Sequence, residues 1–553
     1  MLDNKDSIKD KLPAFSSYGL QTFILFLTTL FGGIIRLVFV YKNDVIGTDS
    51  VTYVELGINL AQGYGYEASY LLPYPELVKA PLYPVLTGGV WSIIGDGFLA
   101  AKIVSLTFGV LLIPLVYLLG KTIFDKSVGL FSAILVAFHP LLINISSNAL
   151  ADATYTFLIT LVCLIGYIAF HRESVGYYIL LGCGLGMAFL SKHIAMGYLG
   201  VVSVTVLLYE FDNTDSVSNW IIKSSTRIVT VGLFFLAVAT PYLLFLYRRT
   251  GEITFGKKSS INLLIGERVT SSDSLAYEKI AYGLTGDLQR SISVYTEVGT
   301  LEYILANPAE IILRYAYNSY NLYGSTLAEA LTVVYLLLIG LGLFTHSWSK
   351  DRSKTNTYLL LWILYPVIVL PLFFISSRFI APLIPIFTIW AAVGLKRVKN
   401  WGDELGETVD VGINFNIIGL GVIGLLIVLL LGLSVAPVIG GGAGPVEHKT
   451  AGEWLDDESK LNDTIMLRKP YAAYYANVNH IALPYANYSE VIQYGCENDV
   501  DYLLVDERYT QPNRPQLAFL LNESQAPQED LSLIYESREG MDILIYELHC
   551  SPE

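Results

Sequence analysis

Long apolar runs separated by short polar segments dominate the chain, and they read as helices that cross a bilayer. A span needs about 20 apolar residues. Runs of that kind lie near 18–40, 98–120, 128–146, 150–170, 177–191, 194–210, 227–247, 327–345, 357–375, 379–395 and 413–438. The pair 177–191 and 194–210 is short, and reads either as two short spans or as a re-entrant hairpin. His139-Pro140, late in the third run, predicts a kink, because proline removes a backbone donor. Beyond a Gly/Pro-rich linker at 436–445 the pattern changes. Helix-like stretches at 450–460 and 488–497 alternate with short apolar runs at 464–467, 480–483, 502–505, 531–535 and 543–546. That alternation predicts a small α/β domain. The expected architecture is therefore an α-helical polytopic membrane protein of about eleven spans, residues 1–440, followed by a soluble domain, residues 441–553.

Composition agrees. Of 553 residues, 53% are hydrophobic and only 15% charged. A soluble chain carries about 25% charged residues. The net charge of −14 argues against a nucleic-acid partner. The first run has no small-residue cleavage site and reads as an anchor. Lys5, Lys9 and Lys11 before it favour a cytoplasmic N-terminus. An odd number of spans then puts the C-terminal domain outside. The expected inner loops hold Lys121, Lys126, Arg172, Lys223, Lys350, Arg352, Lys354, Lys396, Arg397 and Lys399, in keeping with the positive-inside tendency. Two long, tyrosine-rich segments, 41–97 and 248–326, fall on the outer side. Three sequons begin at Asn462, Asn487 and Asn522 in the tail. Cys496 and Cys550 are candidates for pairing if the tail is exterior. Cys163 and Cys183 read as buried hydrophobes.

Candidate chemistry gathers on that outer side. Asp49 and Tyr53 share a helix face if the helix begins at Asp49. A dipole-stabilised N-terminal acid is the bland alternative for Asp49. Lys79, in Lys79-Ala80-Pro81-Leu82-Tyr83-Pro84, is placed to hold a lipid phosphate, or merely snorkels. Asn148 and Asp152 lie at the outer end of the fourth span, where capping would explain them. Together Asp49 and Asp152 could provide a base and a ligand for metal or substrate. Lys192, His193 and Arg378 fall on the same side. Glu55 lies on another helix face and is expected to be solvated. Lys257 and Lys258 could meet a donor phosphate or sit at the surface, and the surface is the favoured reading.

Four stretches carry a family resemblance: Gly47 to Tyr53 continuing through Leu60 to Tyr66; Lys79 to Pro84; Asn148 to Phe157; and Ser377 to Pro385. In order and spacing they resemble the polytopic glycosyltransferases of the C-type fold, in the branch that holds the protein mannosyltransferases and the lipid A aminoarabinose transferase. The resemblance covers residues 18–400. It implies a polyprenyl-phosphate sugar donor, a lipid, glycan or protein acceptor, and an inverting displacement in the cell membrane. It implies Asp49 as catalytic base or as the residue that orients the acceptor, and Asp152 as its assistant or as a ligand of a divalent metal; any further cofactor is left unknown. Lys79, Arg378, Tyr53, Tyr83, Lys192 and His193 would contact substrate. In the aminoarabinose branch an acid precedes the lysine; here that position is Val78, which weakens any metal site built there. No WWDYG-like motif occurs in the tail. A flippase for lipid-linked sugars is the competing class. It predicts repeated halves and polar residues at mid-membrane, and neither is evident.

Overall fold

In the computed structural model, the described residues are 17–68, 75–172, 174–212, 214, 216–270, 273–285, 288, 300–345, 347–408, 444–459 and 462–550, with isolated positions between 421 and 433. Among them, eight helices are long and apolar enough to cross a membrane, or nine if one bent pair counts as a span. They account for the expected runs from 18 to 395, with one shortened exception. Val175–Ser191 forms a separate 17-residue apolar helix, and the next helix follows it directly after Lys192. The expected run at 413–438 lies almost entirely outside the described residues.

The bent pair is Lys126–Ala137 and Pro140–Ser147, turned by 58° at His139-Pro140. The break frees carbonyls inside the bundle, where water cannot satisfy them. The buried Arg36 does so instead, donating to the carbonyls of Val136 (3.1 Å) and Ala137 (2.8 Å). Another helix departs from expectation. The span expected at 327–345 is the second half of a 37-residue helix from Pro308 to Phe344, which runs through a π-turn at Leu322–Thr326. Part of the segment read as an outer loop is therefore helix.

Two short elements position the site. Helix Thr48–Gln62 follows the first span, and helix Leu82–Ile94 follows Lys79. They meet backbone to backbone at two glycines. A Cβ on Gly57 would lie 2.6 Å from the Pro84 carbonyl oxygen, and one on Gly88 would lie 2.3 Å from that of Gly57. Only glycine allows this approach, and it fixes the Asp49 helix against the segment that follows Lys79.

The tail is the expected α/β domain. Its five strands are β1 (Thr464–Leu467), β2 (Asn479–Ala482), β3 (Tyr502–Asp506), β4 (Leu531–Ser537) and β5 (Ile543–Leu548), in sheet order β2-β1-β3-β5-β4. β1 is parallel to β2 and β3, and β5 is antiparallel to β3 and β4. Alternate residues of the strands feed two cores. Ile465, Leu467 and Ile545 pack with Leu455 and Ala472 on one face; Met466, Leu503 and Tyr546 pack with Val491 and Leu517 on the other. Cys496 and Cys550 form a disulfide, which ties helix Tyr488–Glu497 to the chain just after β5.

This domain sits directly on the site. Thr48 Oγ1 donates to Tyr471 Oη (2.9 Å), and Tyr475 Oη accepts from the Ile46 amide (3.0 Å). Glu55 meets His480 of β2, with 3.8 Å between Oε1 and Nδ1. That corrects the expectation of a solvated Glu55: the face away from Asp49 is covered by the tail domain rather than by water.

Candidate active site

Asp49 lies in the first turn of its helix, after a Gly47 cap that lends no side chain. Its carboxylate does more than complement the dipole. Lys79 Nζ donates to Oδ1 at 2.6 Å and Arg378 Nη2 to Oδ2 at 3.0 Å. Three sequence-distant segments thus meet on one carboxylate. Lys79 is 3% exposed, and its Nζ stands 4.8 Å from the centre of the Tyr53 ring. The backbone of the Lys79 turn is held by Tyr66 Oη, which donates to the Lys79 carbonyl (3.0 Å), and by Tyr242 Oη, which donates to that of Glu76 (3.2 Å).

Asp152, at the head of its span, is buried and accepts from Lys192 Nζ at 2.6 Å. Lys192 also stands 5.6 Å from the Tyr155 ring centre and 5.7 Å from that of Phe379. Phe379 follows Arg378, so the two ion-paired carboxylates flank one segment. Arg378 feels both Asp49 and Asp152.

Two expected substrate contacts serve other ends. Tyr83 is fully buried, its hydroxyl donates to the Ala101 carbonyl (2.7 Å), and its ring packs edge-on against Tyr53 at 5.1 Å. It supports Tyr53 and has no free polar atom for a ligand. His193 stacks on Tyr242 at 5.6 Å, with its Nε2 3.2 Å from Tyr242 Oη. It lines neither cavity described below.

Two cavities open at the cluster. One, about 710 Å³, is lined by Asp49, Thr48, Asn43 and Asn148, by Lys258 and Arg378, and from the tail by Arg468, Lys469, Tyr509 and Asn513. The other is an apolar slot of about 40 Å³ between Tyr155, Tyr198, Leu370, Phe379 and Leu383, with Lys192 and Arg378 at its polar end. Arg378 lines both.

Lys258 corrects the expectation of a surface lysine. It opens the helix Lys258–Thr270, is half-buried and lines the larger cavity. The segment is drawn inward by the Lys257 amide, which donates to the Leu77 carbonyl at 2.9 Å. Further along, Glu278 accepts from Arg468 (2.9 Å) and Arg514 (2.7 Å) of the tail domain. A polar Gly-Lys-Lys-Ser stretch carries no local sign of these contacts.

The charges set the protonation states. Burial alone would raise the Asp49 carboxyl, but Lys79, Arg378 and Lys258 outweigh it and hold Asp49 well below the usual carboxylate range. Burial works against the Lys79 ammonium, yet Asp49 and Tyr53 keep it above its ordinary value. Lys258 has no such compensation. Burial, Lys79, Arg378 and Lys192 bring it down to about 7, with only Asp49 opposing.

The donor set does not suit a metal. Each candidate acid already holds an ammonium or guanidinium, and the described residues contain no group of three or more His, Cys, Asp or Glu placed to hold an ion.

Residues 78–245 match the family described as dolichyl-phosphate-mannose-protein mannosyltransferase. That segment includes Lys79, Asp152 and Lys192. Among solved structures, the chain is similar to the oligosaccharyltransferase of Archaeoglobus fulgidus tethered to an acceptor peptide containing an NVT sequon. The TM-score is 0.59 at 14% identity, covering 89% of this chain and 69% of that one. It is similar also to ArnT from Cupriavidus metallidurans bound to undecaprenyl phosphate, with a TM-score of 0.56 at 12% identity, covering 96% of this chain and 98% of that one. No curated protein matches the chain. The fold is that of the C-type polytopic glycosyltransferases. The family match covers residues 78–245 of this multi-span chain.

Proposed function

We propose that the protein transfers a sugar from a polyprenyl-phosphate donor to a hydroxyl of a lipid, glycan or protein acceptor. The observation that carries this reading is the adjacency of the two cavities. An apolar slot ends at Arg378 and Lys192, and Arg378 then opens onto a large polar chamber floored by Asp49. An isoprenoid lying along the mouth of this open slot would bring its phosphate to these cations, with Lys79 and Lys258 close by, and its sugar into the chamber. Two of the similar structures hold an acceptor peptide and undecaprenyl phosphate respectively, which supports a lipid phosphate on one side and an acceptor on the other.

The resting site masks its base. Asp49 spends both oxygens on Lys79 and Arg378, and a carboxylate so stabilised takes a proton poorly. A donor phosphate would compete for both cations. As they turn to the phosphate, Asp49 regains basicity where the acceptor hydroxyl enters. The acceptor oxygen attacks the anomeric carbon, its proton passes to Asp49, and the bond to the phosphate oxygen breaks. The same cations stabilise the charge on the leaving phosphate. One displacement inverts the anomeric centre and needs no covalent enzyme intermediate. Asp152 keeps Lys192 aimed at the polar end of the slot. We place the N-terminus in the cytoplasm and the chamber and tail domain outside, following the distribution of basic loops.

Purified protein incubated with radiolabelled polyprenyl-phosphate sugars and membrane extract tests the reading. Labelled product supports it. Translocation of the labelled lipid in vesicles without transfer overturns it in favour of a flippase.

A further inference from the structure

The charge lining the larger cavity runs against the rest of the chain. The protein as a whole carries −14. Yet the cavity is lined by four cations, Lys258, Arg378, Arg468 and Lys469, and by two carboxylates, Asp49 and Glu278. Both carboxylates are already matched: Asp49 by Lys79 and Arg378, Glu278 by Arg468 and Arg514. Lys258 and Lys469 are left, and no acid pairs with either among the described residues.

These two lysines belong to different walls. The charges that act on Lys258 are those of Lys79, Asp49, Arg378 and Lys192, which is the group the donor phosphate would occupy. Lys469 enters from the tail domain, between β1 and the helix Tyr471–Ala476. It is half-buried, 5.8 Å from the centre of the Tyr509 ring, with Asn513 on the same wall. A glycosyl phosphodiester carries one negative charge, and that charge is met on the membrane side. An uncompensated ammonium facing a partly enclosed chamber is a point-charge site for a second anion.

Resting on the transferase reading, we infer that the acceptor carries an anionic group, phosphate or carboxylate, apart from its reacting hydroxyl, and that Lys469 binds this group. The Tyr509 ring and the Asn513 amide supply the neutral polar and stacking surface beside it, as suits a polyhydroxylated body. The tail domain thereby selects among acceptors while the membrane part binds the donor.

The test uses the full-length protein, radiolabelled polyprenyl-phosphate sugar, and a membrane extract separated on an anion-exchange resin into neutral and anionic acceptor pools. Mild acid releases the sugar of unreacted donor before counting. Wild type is expected to label the anionic pool. Lys469→Gln should lower kcat/KM for that pool at least tenfold with KM for the donor unchanged, and Lys469→Arg should restore most of it. Removing phosphate from the pool with phosphatase separates the two anions: loss of labelling assigns phosphate, and retained labelling assigns carboxylate. Label confined to the neutral pool overturns the inference, as does a Lys469→Gln variant that matches wild type, or one that raises the donor KM. Absence of label with wild type in either pool defeats the transferase reading itself, and the inference with it.

Discussion

Asp49 and Lys79 form a 2.6 Å ion pair across 30 residues of sequence, and Arg378, 329 residues from Asp49, closes on the other carboxylate oxygen. The pair is structural and chemical at once. Lys79 is nearly sealed from solvent, so its charge depends on Asp49. Asp49 is partly open to the chamber, with 28% of its side chain exposed.

Asp49→Asn separates these roles. The amide keeps the shape but loses the charge and the ability to take a proton. Transfer is expected to fall by about 10²–10⁴, the usual worth of a general base. The uncompensated Lys79 lowers stability by up to about 3 kcal/mol, less than a fully buried pair because Asp49 is partly solvated. Thermal unfolding of the detergent-solubilised protein reads the second effect. An Asp49→Asn protein with full transferase activity contradicts the proposed role.

Lys258 sets an expected pH limit. It is protonated below about 7 and neutral above, and only the ammonium attracts a phosphate. kcat/KM for the donor should therefore fall as pH rises through about 7. Lys258→Arg, charged throughout, should move that fall to higher pH, and Lys258→Met should flatten it at the low value. An alkaline limb identical in all three proteins assigns the titration elsewhere.

Glu278 joins the segment that bears Lys258 to the tail domain. Glu278→Gln strands Arg468 and Arg514, both buried beside Tyr282. Breaking a buried pair typically costs about 3–5 kcal/mol. Amide exchange at 276–283 should rise sharply, while exchange in the helix Val217–Thr250 stays as it was. Equal protection in variant and wild type shows that the segment is held by its other contacts, such as the backbone bridge of Gly283 to Tyr485.

What could be read from the chain differs between fold and site for physical reasons. Spans and strands are local patterns, so apolar runs located both, and the five short runs of the tail became its five strands. Asp49, Lys79, Asp152 and Arg378 were visible because each is a charge where an apolar or interfacial residue is expected. Their pairings were not, since nothing local to Asp49 indicates that its partners come from Lys79 and Arg378. Glu55 and Lys258 each look exposed within their own segments, and each is covered by another part of the fold. Lys469, Tyr509 and Asn513 carry no motif at all, and only the docking of the tail domain makes them part of the chamber.

Glu55 and His480 give the docking its own pH dependence. Burial pushes the Glu55 carboxyl up from 4.5 to about 8 and the His480 ring down from 6.5 to about 4. Between about 4.5 and 6.5 the native pair is neutral, while the unfolded pair is Glu⁻ with HisH⁺. Both states then bind the same number of protons, so stability is flat. From 6.5 to 8 the unfolded Glu55 and His480 have both lost their protons while native Glu55 keeps its own. Native stability then falls with rising pH at about 1.4 kcal/mol per unit, about 2 kcal/mol in all. Below 4.5 the unfolded state binds the extra proton on His480, and stability falls as pH drops. Glu55→Gln should therefore abolish the alkaline loss and extend the acid one up to about 6.5, whereas His480→Asn should abolish the acid loss and extend the alkaline one down to about 4.5. Thermal midpoints measured from pH 4 to 9 distinguish these arms, and an unchanged alkaline slope in Glu55→Gln removes Glu55 as its source.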